Sequence, residues 1–137
     1  MNRLLAHDGM RAARRHLERT DRRTLAVQAE LSAIPAPTGA EGPRAARTAD
    51  LFREAGLRDV MVDAAGNVRG WIPGNGGRGA ENGPGPVILS AHLDTVFGPE
   101  VGVAVERRGR RLEGPGIGDN ARGLAAVVAV ARALVEA

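Results

Sequence analysis

The chain has 137 residues, of which 43% are hydrophobic and only 2% aromatic, and it carries a formal charge of +3. That is room for one domain with a core of Ala, Val, Leu and Ile, and it excludes a disordered or collagen-like chain. Cysteine is absent, which excludes disulfides and thiolate metal sites and leaves His, Asp and Glu as the residues able to hold a metal.

The first 34 residues read mostly as helix. Every basic residue is arginine, and seven of the 19 fall within the first 23 positions. A nucleic-acid or membrane contact is one reading of that run. The preferred reading is the exposed face of a terminal helix, because Asp8, Glu18 and Asp21 interrupt the charge and no aromatic stacking residue accompanies it. His7 and His16 are expected at solvated positions of the same helix. Thr20 or Asp21 is a candidate cap for a second segment, in which Val27, Leu31 and Ile34 recur at helical spacing. The run Ile34-Pro35-Ala36-Pro37-Thr38-Gly39 breaks it. A further helix begins near Pro43, which suits a first turn, and ends near Gly56, with Leu51, Phe52 and Ala55 as its apolar stripe.

Beyond Gly56 the period shortens. Val60-Met61-Val62 and Val68 to Ile72 are strand candidates joined by the turn-like Ala65-Gly66-Asn67. Gly74 to Pro86 contains six glycines, two prolines and no large apolar residue, the composition of a solvent-exposed loop. Val87-Ile88-Leu89-Ser90-Ala91-His92 is a continuous apolar run, as in a buried central strand. Val101, Val103 and Val105 alternate with small or polar residues, and Arg107 to Arg110 turns into Arg111-Leu112-Glu113. Gly114 to Gly118 is a Gly/Pro loop, and from about Ala121 an Ala/Val/Leu helix continues to the last residue. It is apolar on nearly every face, which predicts burial on both sides. Helices, strands and a closing helix together predict an α/β layered domain.

Two groups of residues carry chemistry. In His92-Leu93-Asp94-Thr95, period-two alternation points His92 and Asp94 to one face. A carboxylate there fixes the imidazole tautomer while the other ring nitrogen binds metal. Taken alone, His-x-Asp is also an ordinary polar strand end. In Gly114-Pro115-Gly116-Ile117-Gly118-Asp119-Asn120-Ala121-Arg122-Gly123, the glycines allow tight turning, and Asp119 is expected at a helix start that favours an ionised carboxylate. The plain alternative for Asp119 is a helix N-cap. Gly116-x-Gly118-x-x-Ala121 also matches a dinucleotide fingerprint on paper. Arg111-Leu112-Glu113 is not the buried strand that fingerprint needs, and Asp119 would repel a pyrophosphate.

Joined, Ser90 to Val96 and Gly114 to Asn120 with Gly123 resemble the zinc peptidase family of peptidase T, carboxypeptidase G, acetylornithine deacetylase and succinyl-diaminopimelate desuccinylase. Ile34 to Glu41 is similar to that family's turn after its first helix. The likeness runs over 20–137, the metallopeptidase part, and leaves 1–19 as an Arg-rich helical extension. It implies that the chain is the N-terminal part of a two-zinc exopeptidase catalytic domain, its sheet flanked by helices. By that resemblance His92 is a ligand of one zinc, Asp94 the catalytic aspartate that orients it, and Asp119 the carboxylate bridging two ions. A cis peptide is implied at Asp119–Asn120, and Gly116, Gly118, Asn120 and Gly123 support the loop.

The resemblance further implies two zinc ions (cobalt or manganese as substitutes), a small peptide or N-acyl amino acid substrate, and a homodimeric full-length protein. The departure is the family's Glu-Glu pair, general base then ligand. Only 18 residues follow Asp119, and Glu136 is the only acid among them, so the general base is expected beyond the chain end, as is the lid and dimerisation domain. The expectation is a fragment that is inactive alone. A non-catalytic metal-binding or interaction module is the alternative. Leu4–Leu5 is too short for a signal peptide core, and Leu124 to Val135 is too short to span a bilayer and carries Arg132. A cytoplasmic chain touching neither nucleic acid nor membrane is expected.

Overall fold

Among the described residues, three helices fill the first half of the fold, and only the first has a side-chain N-cap, Thr20 making no such bond at the start of the second. The computed structural model describes residues 5–74, 85–98 and 100–137. Helix α1, Asp8–Arg19, starts at His7, whose Nδ1 accepts from the Gly9 amide at 3.2 Å. Asp8 in its first turn and Arg19 in its last both complement the helix dipole. Thr20 separates it from α2, Asp21–Ser32, and its hydroxyl donates to the His16 carbonyl at 2.8 Å. Proline ends what α2 begins, and α3, Gly42–Glu54, carries Pro43 in its first turn.

Antiparallel pairing follows. Strands β1, Arg58–Val62, and β2, Val68–Trp71, form a hairpin whose register slips between Arg58 and Met61. Asp63 closes its turn by accepting from the Ala65 amide at 3.0 Å and the Asn67 amide at 2.9 Å. Those bonds, Asn67's above all, hold the Asp63 carboxyl below its usual range. A second hairpin joins β3, Glu106–Arg108, to β4, Arg111–Glu113. The chain then passes through an irregular turn, Ile117–Ala121, into α4, Arg122–Glu136.

The core lies where α2, α3 and α4 meet: Val27, Leu31, Leu51, Phe52, Ala121, Leu124, Ala125 and Val128. Val60 and Val68 of the first hairpin pack against it, as do Ala91 and Leu93. Burying a side chain such as Leu31 fully is worth about 2 kcal/mol, and Leu31 has no exposed surface. Arg47 bridges α2 to α3, donating to Glu30 and, at 2.7 Å, to Glu54.

Four expectations are corrected. The run Val87 to His92 is not a buried strand: it has no strand partner among the described residues, and Val87 and Ile88 are 88% and 81% exposed. A strand's backbone bonds and faces must be met by neighbours, and the two hairpins here pair only within themselves. Val101 to Val105 likewise lies outside β3. Helix α4 is not buried all round, since Leu134 and Val135 are 44% and 43% exposed and Val127 and Val130 half-buried. His16 is not solvated but buried against α4, its Nδ1 3.0 Å from Glu136 Oε2. Of the predicted loop, Gly74, Gly85 and Pro86 are exposed, and 75–84 lie outside the described residues.

Candidate metal centre

The site forms where the 91–97 segment passes the turn that opens α4. Ala91 and Leu93 pack toward the core while His92 and Asp94 face the other way, the alternation expected of a chain with one buried side. His92 Nδ1 lies 3.0 Å from both the Asp94 Oδ1 atom and the Asp94 carbonyl oxygen. On the opposite edge of the ring, Nε2 is 2.8 Å from Asp119 Oδ1. The imidazole therefore stands between two carboxylates, which raise its pKa, Asp119 contributing most and Asp94 next. Asp94 is held below the usual carboxylate range, first by the Thr38 hydroxyl and then by His92.

Asp119 is brought there by an irregular backbone. It has φ −123° and ψ 92°, and the bond to Asn120 is cis, as the resemblance implies. Regular helix begins only at Arg122, so Asp119 lies before the helix rather than in its first turn, which corrects the helix-start expectation. Its carboxylate is 90% exposed and directed into an open cleft of about 250 Å³, with Thr95, Phe97 and Gly116 among the lining residues.

The glycines of this loop differ. Gly116 has φ +69°, and a Cβ there would come within 3.3 Å of Thr95 Oγ1. At Gly123 a Cβ would collide with the Asn120 side chain, whose Nδ2 donates to the His92 carbonyl at 3.4 Å. Gly118 has open space around it and no positive φ, so nothing in its conformation demands glycine.

Residues that sequence reasoning passed over hold the two segments in place. Gln28 Nε2 donates to the Ile117 carbonyl and Ser32 Oγ to the Pro115 carbonyl, each at 2.8 Å. Both are polar residues one turn apart on the buried face of α2. That polar pair on an apolar face is the signal that would have found them. Arg44, 1% exposed, donates to the carbonyls of Ile34 and Leu93, the latter at 2.8 Å. Burial lowers its pKa and the charge of Asp94 opposes that shift.

In kind, the donors fit a divalent zinc-type ion: an imidazole nitrogen whose ring partner is held by a carboxylate, facing a second carboxylate. In number they are two, His92 and Asp119, and among the described residues no group of three or more His, Cys, Asp or Glu is placed to hold a metal. No helix among the described residues is long and apolar enough to cross a membrane.

The profile of peptidase family M28 matches residues 67–137, just over half of the chain and including both groups of site residues. This supports a zinc-type metallopeptidase family without singling out the group of peptidase T, carboxypeptidase G and the two deacylases. A search of curated proteins finds no match.

Proposed function

The chain belongs to peptidase family M28, and from that premise we propose that it carries the metal-positioning part of a zinc-dependent hydrolase of peptide or N-acyl amide bonds, of exopeptidase or deacylase type. The observation that carries the reading is the His92 ring, braced by Asp94 on one nitrogen and facing Asp119 at 2.8 Å with the other, at the edge of an open cleft. In this reading His92 and Asp119 hold zinc, with cobalt or manganese as substitutes, and Asp94 keeps the imidazole proton on Nδ1 so that Nε2 is free to bind. Zinc, when bound, polarises the scissile carbonyl and lowers the pKa of a water molecule. Gly116 lets the backbone turn beside Thr95, and Asn120 ties the Asp119 turn to the His92 carbonyl.

A catalytic zinc generally has three protein ligands, and the described residues bring two. The reading therefore assigns the further ligands and the general base to polypeptide outside them, together with a dimerising lid. A small peptide or N-acyl amino acid is the substrate class, and the cytoplasm the compartment. The second reading, a metal-binding or interaction module without catalysis, is favoured by the two-donor count and by the exposed Val87 and Ile88.

The test expresses the 137-residue chain and the same reading frame continued past codon 137, each with zinc, and assays both on dipeptides and N-acyl amino acids. Turnover by the longer product only, lost on chelation and in His92→Ala, is expected. Turnover by the short chain would overturn the placement of the base. No turnover by either would favour the second reading.

A further inference from the structure

The Asp94 carboxylate has two oxygens with two different partners. Oδ1 meets His92 Nδ1 at 3.0 Å, and Oδ2 accepts from the Thr38 hydroxyl at 2.8 Å. Thr38 comes from the loop after α2, 56 residues away in sequence. A carboxylate gripped at one oxygen only can rotate about its terminal torsion, which is broad and soft for Asp. One gripped at both cannot turn without losing a hydrogen bond. We propose that Thr38 is a positioning residue of the metal centre: its hydroxyl locks the Asp94 carboxylate, and Asp94 in turn fixes the tautomer and ring plane of His92. The inference rests on the reading of His92 as a ligand.

The loop is built to hold Thr38 still. Arg44, buried at 1% exposure, joins its two sides by donating to the Ile34 carbonyl at 3.1 Å and the Leu93 carbonyl at 2.8 Å. The Thr95 amide donates to the Ala36 carbonyl at 2.8 Å, and Pro37 and Thr95 form a parallel bridge. Backbone and guanidinium together fix the 34–38 loop against 93–95, so the hydroxyl reaches Asp94 from a braced position. The Gly39 amide donates to Glu41 Oε1 at 2.7 Å, closing the loop on its far side. Thr38 is itself exposed, so its replacement removes a hydrogen bond without opening a cavity.

The test compares wild type, Thr38→Val and Thr38→Ser in two measurements. Zinc affinity by competition with a chromophoric chelator is expected to fall about tenfold in Thr38→Val, the lower end for loss of a partner behind a metal ligand. Thr38→Ser, which keeps the hydroxyl, is expected to restore it. Asp119 at Nε2 competes with Asp94 at Nδ1 for the ring proton of the metal-free chain. Long-range proton–nitrogen spectra, at a pH where the ring is neutral, are therefore expected to show a smaller share of that proton on Nδ1 in Thr38→Val than in wild type and Thr38→Ser. A merely structural role for Thr38 would move the melting temperature and leave the tautomer unchanged. Identical tautomer and affinity in all three chains would overturn the proposal. If wild type bound no zinc, the metal reading would fail, and the tautomer comparison alone would decide for or against Thr38.

Discussion

Helix α4 and the run Val87 to Leu89 are the two most apolar stretches of the chain, yet they have opposite fates. Leu124, Ala125 and Val128 of α4 are at most 4% exposed, whereas Val87, Ile88 and Leu89 are 88%, 81% and 54% exposed. Hydrophobicity does not separate them; backbone accounting does. A helix pairs its own N–H and C=O groups and needs only one apolar surface to lie against, which α1, α2 and the 117–121 turn supply. A strand candidate needs neighbours on its edges and on its faces, and the described hairpins offer neither. The packed helices therefore form a platform, and the 91–97 segment is held to it by Leu93 packed against the core, Arg44 on the Leu93 carbonyl, Thr38 on Asp94 and the Thr95 amide on the Ala36 carbonyl.

The sharpest way to break that contrast is a matched pair of truncations. Leu31→Ala, at a position with no exposed surface, is expected to cost about 3 kcal/mol of unfolding free energy in urea. Ile88→Ala, 81% exposed, is expected to stay within about 0.5 kcal/mol of wild type. Equal losses at both positions would mean that the 87–89 run is packed after all.

A smaller effect, confined to the helical platform, is read by pH. Arg47 links Glu30 of α2 to Glu54 of α3, and the hydrogen bond from Arg47 is the main cause that lowers the Glu54 pKa below its ordinary 4.5. A depressed carboxylate contributes stability that is present above its unfolded pKa and is lost as pH falls through its folded one. Arg47→Gln should therefore lose about 0.5 kcal/mol near neutral pH, a typical figure for exposed pairs. The difference from wild type should vanish below the lowered Glu54 value, in denaturation curves taken across the acid range. A difference that persisted in acid would assign the effect to packing instead of charge.

Much of the platform was legible in the sequence because its signals are local. Pro43, Thr20 and the spacing of Val27 and Leu31 are read within one or two turns, and the structure places α2 and α3 where they point. That His92 and Asp94 face one way was legible from period two, although that spacing alone also fits an ordinary polar strand end. What was not legible depends on neighbours distant in the chain. His16 is buried because Glu136 and α4 cover it, 120 residues later. Thr38 reaches Asp94 across a loop closure that no local pattern encodes. The Val87 run misleads for the same reason, since apolar content states that a partner is wanted and not where it is.

The account turns on His92 and Asp119 as metal ligands, and zinc titration of the purified chain with His92→Ala, Asp119→Ala and His16→Ala measures that most directly. The account predicts that the first two each lose zinc affinity by at least tenfold while His16→Ala, whose ring lies in the helical interface, keeps the wild-type value. Wild-type affinity in both His92→Ala and Asp119→Ala would contradict it.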